Sequence, residues 1–199
     1  MGSQVLLDIV ASMVVGGLLL IVALRMNDKA VENTYQSQAA LTVQQNLTSL
    51  VENIEYDFRK IGYCRNPSLQ PKTYMYILSG TDSSISFVTD LSNAGKLDTV
   101  QYFLGGHVPG DPNPDVKYLY RQVNSSPPVA SNLGITEFHL RYLDGFGQQL
   151  STPFVAPSQA QVIEITVRVE PTVIYNAAYD TVFAVWRQTR LISRNLKAR

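Results

Sequence analysis

Few side chains in this 199-residue chain are of a kind that performs covalent chemistry, and they stand apart from one another. Cys64 is the single cysteine, which rules out an intrachain disulfide and leaves a buried thiol or a bridge between chains; burial is the ordinary state of a free cysteine. His107 and His139 are the only histidines, and neither lies at metal-ligand spacing from the other or from Cys64, so both read as surface residues. There is no Gly-x-Ser-x-Gly turn to raise a nucleophile, no glycine loop to cradle phosphate and no paired-cysteine site. Asp111, Asn113 and Asp115 place oxygens at alternate positions, a weak calcium candidate. The intervening prolines and the missing distal glutamate depart from the calcium-loop pattern, so an exposed turn is the simpler reading. No catalytic residue and no cofactor are expected. The acid that most needs a partner is Asp8, because it interrupts an apolar stretch in which an unpaired carboxylate costs on the order of a few kcal/mol.

That stretch covers residues 2–24, with no charge between Ile9 and Leu24. Together with Val5, Leu6 and Leu7 it falls within the roughly 17 to 25 residues that cross a bilayer as a helix. No basic residue precedes it, as a secretory signal would require, so a retained helix is predicted. Arg25 and Lys29 follow it, and the positive-inside rule taken alone puts that end in the cytoplasm. Lys+Arg and Asp+Glu both total 16, so no global charge excess favours nucleic acid, and none is expected as a partner of the isolated chain.

Past Leu24 the pattern turns amphipathic. Leu47, Leu50, Val51, Ile54, Phe58 and Ile61 recur at three- and four-residue steps, with Glu52, Glu55, Asp57 and Lys60 at other positions. Between Ala30 and Gln45 the apolar face is weaker, which suits either a solvated segment or packing against neighbouring copies. A continuous helix from about Val5 to Ile61 would be roughly 85 Å long. Gly16 and Gly17 could bend it or permit close helix contact. Gly62 supplies a left-handed stop, and Pro67 and Pro71 prevent continuation.

The period then becomes two. Strands are predicted over residues 73–78, 85–89, 99–104, 116–123, 135–143, 162–169 and 181–193, separated by Gly, Asn, Asp, Ser and Pro. Tyr74, Tyr76, Tyr102, Phe103, Tyr118, Tyr120, Tyr142 and Trp186 lie on or beside them and read as core or cross-strand pairs. Arg59 reads as a local ion pair with Glu55 or Asp57. The expected fold class is α+β: a long N-terminal α-helix, apolar in its first half and amphipathic in its second, packed on an antiparallel β-sheet head. The expected divisions are 1–25 for the transmembrane or filament-core helix, 26–63 for its amphipathic continuation and 64–199 for the head.

A glycine near the N-terminus, an apolar stretch with an acid in its first turns, a continuous amphipathic helix and a β-meander together resemble a type IV pilin or pseudopilin. Within that superfamily, Tyr56-Asp57-Phe58-Arg59-Lys60-Ile61-Gly62-Tyr63 is similar to the helix end of PilW-like minor pilins and GspJ-like minor pseudopilins. Phe138-His139-Leu140-Arg141-Tyr142 with Gly145 or Gly147, and the closing run from Thr189 to Leu196, are similar as well. The resemblance covers nearly the whole chain, through motifs that are individually short.

It implies a filament subunit held in the bacterial inner membrane before assembly and then displayed on an extracytoplasmic or cell-surface fibre. Its partners would be copies of itself, other pilin-like subunits, the inner-membrane assembly machinery and, before assembly, membrane lipid. Processing would fall at Gly2 or Ser3; cleavage after Met1-Gly2 puts Leu7 in the fifth position, whereas cleavage after Ser3 puts Asp8 there. Asp8 would pair with the terminal ammonium of an adjacent subunit, and Val10, Val14, Leu18 and Ile21 would form the helix-core contact. The competing expectation is a single-pass membrane protein whose β-head binds a ligand or partner without polymerising. A membrane-tethered hydrolase would need a nucleophile constellation that these residues do not supply.

Overall fold

The computed structural model describes residues 2–70, 76–153, 159–171 and 184–191. A single α-helix, α1, runs Gly2–Arg59. It contributes to two compact units, Met1–Ala39 and Ala40–Arg199. The described residues of the first are all helix; the second holds the end of α1 and a sheet.

Seven strands form that sheet: β1 (Ile77–Gly80), β2 (Ser84–Thr89), β3 (Asp98–His107), β4 (Lys117–Val123), β5 (Val129–Leu143), β6 (Val162–Val169) and β7 (Ala184–Leu191). Each is hydrogen-bonded antiparallel to the next, in the order β1 to β7, so the sheet is a plain meander. The α+β arrangement expected from the two periodicities is the one observed.

Strand alternation decides the inner face. Ile85 and Phe87 of β2, Val100 and Tyr102 of β3, Leu119 of β4, Phe138, Leu140 and Tyr142 of β5, and Ile163, Ile165, Val167 and Val169 of β6 are buried. Against them lie Val43, Leu50, Ile54, Phe58 and Ile61, with Leu47 partly buried, the stripe that three- and four-residue spacing puts on one side of the helix. Phe58 meets the rings of Phe87 and Tyr102 edge-on or tilted at 5.4 and 5.6 Å. Cys64 is buried and free, in agreement with the sequence reading.

The helix ends three residues before Gly62, whose φ of 71° turns the chain back. Its N–H donates to the Val88 carbonyl at 2.8 Å, and the Thr89 hydroxyl donates to the Lys60 carbonyl at 2.8 Å, so the turn is tied to β2.

β5 starts at Val129, six residues earlier than the alternation suggested; Val129, Ala130 and Asn132 are exposed and only Leu133 in this part packs on the core, so the sequence shows no apolar period there. Its first part pairs with β4 and its second with β6; between them Gly134 takes φ 75°, and Glu170 donates its N–H to the Gly134 carbonyl. The edge of β5 that β4 leaves open is met by the β1–β2 turn. Leu140 N–H donates to the Asp82 carbonyl at 2.7 Å and the Tyr142 hydroxyl to the Ser84 carbonyl at 3.1 Å, so the sheet curls onto itself. β1 is displaced toward the C-terminus of its predicted range, of which residues 73–75, with Tyr74, lie outside the described residues. So do residues 181–183 and 192–193 of the last predicted strand, and the closing motif beyond Leu191.

Candidate functional site

The first unit concentrates apolar surface that the chain itself does not cover. Fourteen large apolar side chains between residues 5 and 24 are 49–74% exposed, and the helix is long and apolar enough to cross a membrane. Val10, Val14, Leu18 and Ile21 are 56%, 57%, 58% and 49% exposed and recur at steps of four, four and three, which places them along one side. Removing all fourteen from water is worth roughly 10 to 20 kcal/mol, comparable with the whole stability of a domain. A Cβ at Gly16 or Gly17 would touch nothing, so within the single chain neither glycine is required for packing. Asp8 is exposed on this rod, as are Gly2 and Ser3. The Ser12 hydroxyl is satisfied locally by the Ile9 carbonyl at 2.9 Å, which leaves Asp8 as the group whose polarity conflicts with its surroundings.

In the second unit the buried polar centre is one that sequence patterning did not single out. Asp57, with a side chain only 3% exposed, accepts from Arg121 Nε at 2.7 Å and from the Tyr102 hydroxyl at 2.7 Å, both on Oδ2. Tyr102 and Arg121 face each other directly across β3 and β4. The expectation that Asp57 lies on the polar side of the helix is therefore corrected. It sits between Ile54 and Ile61 on the buried stripe, and it is tolerated there because two donors reach it. The signal was present in the spacing: Asp57 is three residues from Ile54, and Arg121 and Tyr102 each lie two residues from an inward one, Leu119 and Val100, and so share its face.

Burial, and then the neighbouring Asp57 carboxylate, push the Tyr102 phenol well above the ordinary tyrosine range. The hydrogen bond to Asp57 raises Arg121 further, against the opposing effect of its partial burial. Both donors of this centre reach the same oxygen, Asp57 Oδ2. What the centre does is fasten the end of α1 to the middle of the sheet. Arg59 pairs with Glu55 at 2.9 Å, as its helical spacing suggests.

The Asp111, Asn113 and Asp115 segment is a pair of successive side-chain-capped turns. Asp111 Oδ1 accepts from Asn113 N–H at 2.9 Å and Asn113 Oδ1 from Asp115 N–H at 3.0 Å, while buried Asn113 donates its amide to Glu170 at 3.1 Å. The oxygens serve the turn. Among the described residues no group of three His, Cys, Asp or Glu side chains is placed to hold a metal ion.

His107 and His139 are both exposed, and His139 stands between Asp82 at 3.0 Å and Glu137 at 3.4 Å. Tyr76 and Tyr142 are core residues. Phe103, Tyr118 and Tyr120 instead form a cross-strand cluster on the outer face, Phe103 and Tyr120 stacked at 5.0 Å. Asp90 is enclosed by main chain. Burial acts to raise its carboxyl, but N–H groups of Arg65, Gly95, Ala94 and Asn93 outweigh it and hold the pKa below the usual aspartate value. Compared with known proteins, the chain matches no family model, no curated protein and no solved structure.

Proposed function

We propose that this chain is a structural subunit of a type IV pilus-like or type II secretion pseudopilus-like filament. It is held in the membrane by its apolar helix, polymerises through that helix, and displays its β-rich head outside. The observation that carries the reading is the run of uncovered apolar side chains between residues 5 and 24, in a chain whose second unit has a core of its own. Such a run requires lipid or other helices, and a subunit that moves from one to the other keeps it sheltered throughout. The resemblance of the helix end and of the later strand motifs to minor pilins and pseudopilins supports the same reading.

In cells that produce the full chain, the shear fraction is the test. Immunogold labelling of the head along or at the tip of threads in negative stain, together with its recovery in that fraction, is the expected result. A head that is open to protease in sealed cells while the chain stays in the membrane fraction, without threads, refutes polymerisation and leaves a membrane-anchored binding domain. Mass spectrometry of the mature N-terminus tests processing at Gly2 or Ser3.

A further inference from the structure

Between Gly2 and Asn27 the helix carries two charges, Asp8 and Arg25, seventeen residues apart. Both are exposed, and no ion pair joins either of them to another described residue. The next cation, Lys29, is already bonded to Glu32 at 2.9 Å. We infer that Asp8 of one copy pairs with Arg25 of the next, so that neighbouring parallel helices are offset by seventeen residues, about 25 Å along the axis. This deepens the filament reading and rests on it.

Charge decides among the possible offsets. Two parallel copies in register put carboxylate beside carboxylate and guanidinium beside guanidinium, in surroundings where like charges are least screened. An offset of seventeen replaces both repulsions with an attraction, and it brings a fixed cation of the chain to the acid. It also lays the apolar run of one copy alongside residues 26–41 of the next, a stretch where Met26, Val31, Tyr35 and Leu41 remain 40–69% exposed.

The geometry has a consequence for assembly. At 3.6 residues per turn Asp8 and Arg25 point about 100° apart around the axis. Each copy therefore offers one face to the copy on one side and a different face to the copy on the other. A contact between unlike patches does not close on itself, and an axial offset repeats it into an open chain of subunits.

Cysteine cross-linking of the full chain in its own membrane or filament reads the offset directly. Leu7→Cys in one copy and Leu24→Cys in another, oxidised together, are expected to give the mixed dimer several-fold above either like pair. A chain carrying both substitutions is expected to give a ladder of trimers and larger species. Dominant 7–7 and 24–24 products overturn the offset while leaving the filament reading intact. A doubly substituted chain that stops at dimer indicates antiparallel pairing and also overturns it. Absence of every cross-link and of threads sinks both the offset and the filament.

Charge substitution gives a second measurement, on thread yield. Asp8→Ala and Arg25→Ala should each lower yield at least tenfold, and Asp8→Arg with Arg25→Asp in one chain should recover most of it. Indifference to Arg25→Ala overturns the pairing, because an acid served by a terminal ammonium would not depend on that side chain.

Discussion

Breaking the buried ion pair between α1 and the sheet should destabilise the head more than any surface change, and by an amount that depends on which partner is removed. Arg121→Ala leaves the Asp57 carboxylate, 3% exposed, with the Tyr102 hydroxyl as its remaining side-chain donor. Removing one member of a buried pair costs about 3 to 5 kcal/mol. Asp57→Ala is milder, at roughly 2 to 3 kcal/mol. It leaves the buried Tyr102 hydroxyl without an acceptor for its proton, for which about 1 to 3 kcal/mol is usual; Arg121, whose Nε also donates to that hydroxyl at 3.2 Å, has a side chain 36% exposed and keeps its charge in contact with water. Tyr102→Phe removes one hydrogen bond to a charged acceptor and should cost about 1.5 kcal/mol.

For a unit the size of Ala40–Arg199, each kcal/mol shifts Tm by about 2 to 4 °C. Arg121→Ala is thus expected to melt at least ~6 °C below the unsubstituted protein. Urea unfolding of the full chain in detergent, followed by fluorescence of the single tryptophan, Trp186, measures the free energies. The double variant should cost less than the sum of its parts by at least ~1 kcal/mol, since the second removal takes away a group already without its partner. Three single variants all within ~1 kcal/mol of the parent, or strict additivity of the pair, would refute the reasoning.

Two further outcomes follow from main-chain geometry and titration. Gly134→Ala should destabilise by more than ~3 kcal/mol, because the position has φ 75° and an added Cβ would stand 2.1 Å from the Glu170 carbonyl oxygen, a backbone atom; a urea midpoint unchanged from the parent would contradict this. Asp90 has its pKa lowered by folding, so the unfolded chain binds the proton more readily. Its contribution is complete above the unfolded value near pH 4 and is lost as pH falls through the lower folded value. Asp90→Asn should therefore flatten the acid limb of stability against pH, as read by urea midpoints from pH 5 down to pH 2.5, and an unchanged slope would count against the main-chain cradle.

Much of the fold was legible because two periods dominate it. The stripe at Leu50, Ile54, Phe58 and Ile61 and the alternation through β6 each follow from one face meeting apolar partners, and both appear where the pattern puts them. The early part of β5 was not legible, since its pairing with β4 depends on main-chain hydrogen bonds that residues such as Ala130 and Ser131 can make without a hydrophobic period. The helix end was read slightly long. Lys60 and Ile61 fit the helical pattern, but their amides bond only three residues back, to the Asp57 and Phe58 carbonyls, and the Lys60 carbonyl accepts from Tyr63 N–H and from the Thr89 hydroxyl of β2.

The candidate site divides along the same physical line. Asp8 stands out in the sequence because an acid among apolar residues conflicts with its neighbours, whatever the rest of the chain does. Asp57 does not, because in sequence it resembles any solvated helix acid beside Glu55. Its role arises only when strand pairing sets Tyr102 opposite Arg121 and helix packing brings the carboxylate to both. A charge whose partner lies 64 positions away leaves a trace only in phase, as a polar residue on the buried stripe and a cation on the inward alternation of a strand. The same criterion applied to the first unit finds opposite charges at Asp8 and Arg25 with no fold of their own to unite them. For such a pair the partner we infer is a second copy, and on that inference the spacing along one helix carries information about an assembly.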